Sequence, residues 1–137
     1  MPKWNERFLQ LAYFVSQWSK DPKAKVGSVL LNSRGWPIAL GFNGFPKGIE
    51  DSLDKLEDGE LKNKMVVHAE QNALICAGTK AENGEIYIIG KPVCPRCAVP
   101  INSFYIFPNP CFNEVASRSF HCPVEAVSPP RKSTRPH

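Results

Sequence analysis

Four residues of this sequence combine side chains and spacings that could do chemistry together. His68 and Glu70 lie two positions apart in His-Ala-Glu, and Cys94 and Cys97 form a Cys-Pro-Arg-Cys pair further along the chain. An imidazole and two thiolates are good ligands for zinc, and a catalytic zinc keeps three protein ligands and leaves its fourth position to water. Because two thiolates cancel the charge of the ion, that water needs a nearby base. Glu70 can act as this general acid and base.

Each of these residues has a simpler explanation when it is taken alone. A single Cys-x-x-Cys pair also occurs as a redox pair or as half of a structural zinc site. A single histidine more often packs or caps a helix than binds a metal. A structural site needs a fourth ligand, and the remaining candidates do not have a helpful spacing: Cys76, Cys111, Cys122 and His121. The combination of four residues therefore favours a catalytic zinc site.

Two predicted helices and the strand between them would position these side chains. Residues 68–77 read as a helix, and residues 85–90 (EIYIIG) read as a strand because they are rich in residues that favour sheets. A further helix begins at Cys94 or Pro95, since proline suits a first turn.

Within these helices, the four side chains can surround one point without all binding to it. Glu70 lies roughly 200° around its helix from His68, so it can flank the metal site without being a ligand. Cys94 and Cys97 lie one turn apart at a helix N-terminus, where the backbone N–H groups and the helix dipole favour thiolates.

The rest of the chain up to residue 101 alternates between helix and strand. The spacing of apolar residues predicts an amphipathic helix over 4–19, and 26–32 and 37–42 are predicted as strands. Residues 43–64 read as a polar loop. This alternation indicates a layered α/β domain, with residues 1–101 as its catalytic core.

The regular pattern ends after Ile101. Residues 102–137 hold 6 of the 13 prolines and show little periodicity, so they are predicted as a divergent and partly disordered segment. A change of reading frame near codon 101 and a native divergent extension would both give such a tail.

The composition limits the classes of function. A length of 137 residues suits one domain with a real core, and the net charge of +4 is too weak to indicate nucleic-acid binding. No apolar run reaches the roughly 20 residues of a membrane span, and the N-terminus shows no signal-peptide core. We therefore expect a cytoplasmic protein without membrane or nucleic-acid partners. The five cysteines are an odd number and do not indicate a disulfide framework.

Four segments carry a resemblance to a known family: WSKDPKAKVGSVLLN, GFNGFPKGIED, VHAEQNAL and KPVCPRCA. His-x-Glu followed by Pro-Cys-x-x-Cys is the signature of zinc deaminases. Over residues 6–101 the sequence resembles the cytidine/deoxycytidylate deaminase superfamily, and within it the deoxycytidylate (dCMP) deaminases. Val93 departs from the pattern, because the family most often has proline at that position.

The resemblance implies a fold, a cofactor and an activity. The fold would be a three-layer α/β/α sandwich with a central mixed sheet and an atypical C-terminal part. Zinc would be bound by His68, Cys94 and Cys97, and Glu70 would transfer protons. Hydroxide would attack C4 of the cytosine ring, giving dUMP and ammonia in pyrimidine deoxynucleotide metabolism. The family also implies a homo-oligomer.

Further roles are implied for residues near the strand that ends at residue 42. Asn43 falls where related deaminases hold the sugar, although Asn-Gly is also a common turn. Lys25 and Lys47 are candidate phosphate contacts by charge and position alone, and each can equally be a solvated surface lysine. Gly41–Gly44 resembles the loop where many family members bind a regulatory triphosphate, dCTP or dTTP. Phe42 replaces the usual Tyr or Trp there.

Two alternatives to a dCMP deaminase remain open. One is a zinc deaminase that acts on another cytosine nucleotide, such as dCTP or CMP, or on a base in nucleic acid. The other is a non-catalytic protein that binds zinc or a nucleotide, its activity having been lost through the altered C-terminal segment.

Overall fold

Helices and strands alternate along most of the chain in the structure, a computed structural model that describes residues 4–46, 48–49, 55, 57 and 59–111. The helices are α1 (Trp4–Ser16), α2 (Gly59–Met65), α3 (Ala69–Ala77) and α4 (Pro95–Ser103), with a 3₁₀ turn at Gly78–Ala81. The strands are β1 (Gly27–Leu31), β2 (Pro37–Phe42), β3 (Glu85–Ile89) and β4 (Phe107–Cys111). Within the described ranges, no helix combines the length and the apolar character needed to cross a membrane.

The strands form a mixed sheet in the order β2-β1-β3-β4. β1 pairs antiparallel with both β2 and β3, whereas β3 and β4 run parallel. All five residues of β1 are buried, as expected for a central strand that is covered on both faces. The predicted buried strand near residue 26 is therefore confirmed.

Helices cover both faces of the sheet and make three layers. Because successive side chains of a strand point to opposite faces, β1 and β3 contribute to two separate clusters. One cluster joins α1 to the sheet: Leu9, Ala12, Val29, Leu31, Tyr87 and Ile89. The other joins α3 and α4 to the opposite face and includes Leu30, Ile86, Ile88, Ala73, Leu74, Cys97 and Ile101. The predicted α/β/α architecture with a mixed sheet is confirmed.

Two glycines let the helices lie directly against the strands. A Cβ added at Gly27 would lie 2.0 Å from the carbonyl oxygen of Ala12 in α1. A Cβ at Gly41 would lie 2.1 Å from the carbonyl oxygen of Ala69, at the start of α3. Only glycine fits at such distances, so Gly41 determines how closely the first turn of α3 approaches β2.

Two predicted segments differ in the structure. Residues 59–65 form α2 and not part of a loop, so the prediction of a continuous loop over 43–64 is wrong. α1 ends at Ser16 and not at residue 19, because Trp18 and Ser19 donate their N–H groups three residues back, in a tighter turn.

The prediction that regular structure ends after Ile101 is also wrong. α4 continues to Ser103, and β4 then pairs with β3 in the sheet. The N–H of Phe107 donates to the carbonyl of Gly84 in the strand-pairing direction. Because successive backbone groups of a strand face opposite sides, the nitrogens of Pro108 and Pro110 point away from β3, where no N–H group is needed for pairing. Proline is tolerated in a strand at such outward positions. Residues 112–137 lie outside the described residues, and their disorder stays a prediction.

Candidate metal centre and active site

Three side-chain atoms from two helix N-termini lie close enough to hold one metal ion. Nδ1 of His68 lies 3.2 Å from Sγ of Cys94 and 3.3 Å from Sγ of Cys97, and the two sulfurs are 3.5 Å apart. Tetrahedral zinc, with bonds of roughly 2.0 Å to nitrogen and 2.3 Å to sulfur, separates its ligands by about 3.5–3.8 Å. The observed separations match that spacing within a few tenths of an ångström, so these three side chains fit one tetrahedral ion.

The start of α4 places both cysteines. Cys94 is the N-cap residue, and Pro95 occupies the first turn, where its missing N–H leaves no intrahelical bond unmade. The N–H of Cys97 donates to the carbonyl of Cys94 at 3.0 Å, which closes the first turn and brings the sulfurs to the same side. Cys97 is completely buried in the core on the α3 face of the sheet, whereas Cys94 is half-buried at the surface of the pocket.

The start of α3 is held by hydrogen bonds at each end of its first turn. The backbone N–H of His68 donates to Oε1 of Gln71 at 3.0 Å, and the N–H of Asn72 donates to the carbonyl of His68 at 2.9 Å. The hydroxyl of Ser28 in β1 donates to the carbonyl of Ala69 at 2.8 Å. Together with Gly41, these contacts attach the residues that carry the imidazole and the carboxylate to the rigid sheet.

Glu70 is a buried carboxylate next to the ligand triangle. Only 3% of its surface is exposed, and its Oε2 lies 3.4 Å from Sγ of Cys97, which donates to it. Glu70, His68 and Cys94 line the same pocket, which has a volume of about 340 Å³. A carboxylate at this position can exchange protons with a molecule that sits in the pocket beside the metal site.

The thiol of Cys97 keeps its proton when no metal is bound. Burial raises the pKa of Cys97 strongly, and the negative charge of Glu70 and the hydrogen bond with Cys94 raise it further. Zinc binds the thiolate, so metal binding at this site must displace a proton.

Asn43 lies in the pocket wall, and its side chain is occupied by protein hydrogen bonds. Its Nδ2 donates to the carbonyl of Ala24 at 2.8 Å and to Oδ2 of Asp21 at 3.5 Å. Its Oδ1 accepts from the N–H of Val26 at 2.9 Å. Asn43 therefore ties β2 to the chain between Asp21 and Val26, and a contact with the substrate sugar stays a prediction.

Of the other predicted substrate contacts, the described Lys25 is not brought to the pocket. Lys25 is exposed, its Nζ donates to the carbonyl of Ser19, and it is not among the residues that line the pocket. Lys47 lies outside the described residues. A role of either lysine in phosphate binding stays a prediction.

The predicted regulatory segment is the end of a strand. Gly41 and Phe42 are the last residues of β2, and Gly44 bridges to Val67 through two backbone hydrogen bonds of 3.1 and 2.7 Å. Phe42 is partly exposed, with its ring 6.0 Å from the ring of Trp18. Binding of a triphosphate here stays a prediction.

Sequence inspection missed three charged residues of the pocket: Asp21, Lys62 and Lys91. Nζ of Lys62, in α2, lies 3.3 Å from Oδ2 of the buried Asp21. Burial raises the pKa of Asp21, but the N–H groups of Lys23 and Ala24 and the charge of Lys62 outweigh it and lower the pKa below its usual value. The available signals were the proline after Asp21, which indicates a turn next to the first predicted strand, and the position of Lys91 three residues before Cys94.

A mixed sheet between two helical layers, with a His-Cys-Cys triangle beside a buried glutamate, defines the fold and site of a zinc-dependent deaminase. The family model for the cytidine and deoxycytidylate deaminase zinc-binding region matches residues 2–108, and the chain belongs to this family. The resemblance found in the sequence is confirmed. Zinc is accordingly the cofactor of the site formed by His68, Cys94 and Cys97.

Individual relatives and a solved structure show which members of the family the chain is similar to. A deaminase of Aliivibrio fischeri is 40% identical over 99 residues, covering 72% of this chain and 65% of that protein. Human deoxycytidylate deaminase is 31% identical over 101 residues, covering 70% of this chain and 57% of the human protein. The crystal structure of dCMP deaminase from the cyanophage S-TIM5 in complex with dCMP and dUMP superposes with a TM-score of 0.67 at 28% identity, covering 85% of this chain and 88% of that one. The chain spans less than two thirds of the length of the first two relatives.

Proposed function

We propose that the chain catalyses the hydrolytic deamination of dCMP to dUMP and ammonia. The observation that carries the proposal is the buried carboxylate of Glu70, 3.4 Å from a ligand sulfur and in the same pocket as His68 and Cys94. A structural zinc site has no need for such a group, whereas a hydrolytic site needs a proton carrier beside the metal. Support for dCMP as the substrate comes from relatives named as deoxycytidylate deaminases and from the cyanophage enzyme solved with dCMP and dUMP.

The residues of the chain have distinct roles in this reaction. When bound, zinc lowers the pKa of water and supplies the hydroxide nucleophile. Glu70 takes the proton released from water and passes it to N3 of the cytosine ring as a bond forms between oxygen and C4. Glu70 then takes the second proton from the hydroxyl group on C4 and gives it to the exocyclic amine as the bond between the amine and C4 breaks. Ammonia leaves, and the ring becomes uracil.

The wall of the pocket would orient the substrate. Asn43 and Asp21 are both buried, and Asn43 donates a hydrogen bond to Asp21, so the loop between α1 and β1 is held against the end of β2. We assign Asn43 mainly the role of shaping this wall beside the sugar, since both ends of its amide already have protein partners. Fixed walls reduce the freedom of the bound nucleotide and bring C4 close to Glu70.

The decisive experiment is dCMP turnover by the purified chain, followed by the loss of cytosine absorbance, with zinc quantified on the same sample. We expect turnover at about one zinc per chain, with dCMP preferred over dCTP, deoxycytidine and single-stranded DNA. A preference for dCTP would indicate deamination of another nucleotide. Bound zinc without turnover of any of these compounds would contradict the proposal and favour a non-catalytic binding protein.

Three broader expectations belong to the same proposal. Regulation by dCTP and dTTP near Gly41–Gly44 can be tested in the turnover assay by adding each triphosphate. Homo-oligomer formation can be tested by measuring the mass of the zinc-loaded chain in solution. A cytoplasmic location also stays a prediction.

A further inference from the structure

Two lysines line the pocket in different electrostatic environments. Lys62 is largely buried, and its ammonium lies 3.3 and 3.4 Å from the two carboxylate oxygens of Asp21. Lys91 is exposed, and it has no ion pair or hydrogen bond from its ammonium to any residue that the structure describes. The positive charge of Lys62 is therefore balanced within the protein, whereas that of Lys91 faces the pocket and solvent.

The backbone around Lys91 is held in place. Gly90 has φ of +117°, a region that favours glycine, and a Cβ at this position would lie 2.4 Å from the carbonyl oxygen of Lys25. Pro92 follows Lys91 and restricts the chain further. The same short loop reaches the metal ligand Cys94 three residues after Lys91. Lys91 is therefore anchored to the sheet on one side and to the metal site on the other.

Among the described residues that line the pocket, Lys91 is the one whose charge can recognise an anion. Asp21 and Lys62 neutralise one another, and two thiolates neutralise a bound zinc ion. Glu70 is buried at the inner end beside Cys97. Lys91 is exposed and pairs with none of the described carboxylates, so its ammonium can contact an incoming anion without first breaking such a pair. A nucleotide with its base toward Glu70 would direct its phosphate toward the exposed side of the pocket.

We propose that Lys91 binds the 5′-phosphate of the substrate and makes the pocket select a nucleoside monophosphate over the nucleoside. Lys62 instead stabilises the pocket wall through Asp21. This inference rests on the proposed deamination of dCMP and names the residue that recognises its phosphate.

The test compares two substrates that differ only in the phosphate. Lys91→Gln should lower kcat/KM for dCMP roughly 10- to 100-fold, the effect of one charge-assisted hydrogen bond, and leave deoxycytidine unchanged. The loss should lie mainly in KM, and Lys91→Arg should restore most of it. Lys80→Gln removes the same charge from an exposed position outside the pocket and serves as the matched control. Equal losses for both substrates, or an equal effect of the control, would overturn the proposal.

A binding measurement separates this inference from the proposed reaction. Calorimetry on the zinc-loaded chain should show that dUMP binds more tightly than deoxyuridine, and that Lys91→Gln removes most of the difference. This result would support the role of Lys91 even if no substrate were turned over, in which case only the proposed reaction would fail. Equal affinity of the original chain for dUMP and deoxyuridine, or an unchanged difference in Lys91→Gln, would refute the role of Lys91.

Discussion

Glu70 is the buried residue on which the proposal of a catalytic rather than a structural zinc site depends. Burial of a carboxylate is unfavourable unless the group has partners, and its partner here is the thiol of Cys97. A bound zinc ion would take that sulfur as a ligand and leave the carboxylate at the edge of the metal site. Glu70 therefore has the fixed position beside the metal site that the proposed proton transfer requires.

Replacing Glu70 with Gln should separate metal binding from chemistry. The shape of the side chain is kept and all three ligands remain, so zinc should still bind at one per chain. Turnover of dCMP should fall roughly 100- to 10,000-fold, because general acid–base catalysis contributes that much. Glu60→Gln, at an exposed site in α2, is the control and should keep both zinc and activity. Near-normal turnover in Glu70→Gln would rule out the proposed proton carrier.

Zinc affinity should depend steeply on pH because of Cys97. Its pKa is raised by burial, so the thiol carries a proton at neutral pH, and zinc must displace it. Below the pKa of the thiol, the affinity for zinc should therefore rise roughly tenfold for each unit of increase in pH and each proton displaced. Acidification should accordingly release the ion. Competition with a chelator between pH 6 and 8 measures this dependence.

Two cysteine variants complete that measurement. Cys97→Ser should lose stoichiometric zinc, whereas Cys76→Ser, at an exposed cysteine outside the ligand set, should bind zinc like the original chain. Stoichiometric zinc in Cys97→Ser would show that the ligand set is wrong.

At the scale of elements, the site depends on how closely α3 lies against β2. The carbonyl of Ala69 occupies the space that a side chain at Gly41 would need. Gly41→Ala should therefore destabilise the protein by roughly 1–3 kcal/mol and shift the turn that carries His68 and Glu70. Urea denaturation measures the first effect, and zinc affinity measures the second.

The matched control for this change is Gly59→Ala. A Cβ at Gly59 would meet nothing within 4 Å, and alanine favours the helix that begins there, so no loss of stability is expected. Similar behaviour of the two variants would mean that the close approach of α3 to β2 is not required.

The ion pair between Asp21 and Lys62 should make the free energy of unfolding depend on pH in the acidic range. Since the pKa of Asp21 is lowered in the folded state, its contribution is present above about pH 4 and is lost as the pH falls through the folded-state pKa. Lys62→Gln should move the midpoint of acid unfolding to higher pH and cost roughly 1–3 kcal/mol at neutral pH. Lys64→Gln removes only an exposed pair with Glu60 and should change stability little. Equal effects of the two variants would contradict a structural role for Lys62.

Most elements could be predicted from periodicity and turn residues, and the exceptions have physical reasons. β4 (FPNPC) contains two prolines and resembles a loop by composition. It is a strand because its alternate backbone groups pair with β3, a partner that lies distant in sequence. α2 is short and polar, so its sequence carries little amphipathic signal.

At the scale of the whole molecule, the described core extends beyond the predicted boundary at residue 101. Ile106 is buried in the core, and β4 is the outermost of the described strands on one side of the sheet. A chain shortened after residue 101 should therefore lose much of its stability, because β3 loses its parallel neighbour. A chain that ends at residue 111 should keep its thermal midpoint within a few degrees. Comparable destabilisation of both shortened chains would show that residues 112–137 contribute to the fold.

The metal site was more predictable than the pocket around it. His68, Glu70, Cys94 and Cys97 follow a local signature whose spacing survives in sequence. Asp21, Lys62 and Lys91 come from three separate segments and meet only through the fold. No sequence motif links these three charged residues, so only the structure distinguishes Lys62, which is paired with Asp21, from the exposed Lys91.

The two prolines of β4 have a further consequence for how copies of the chain can meet. A strand of another molecule can add to a sheet by hydrogen bonding to the N–H and C=O groups that an edge strand points outward. Among the described strands β4 is the outermost on this side, and the outward-facing Pro108 and Pro110 offer carbonyl acceptors but no N–H donors, so only half of such a ladder could form. Within the described part of the chain, the two prolines therefore disfavour the pairing of a further strand along this side of the sheet.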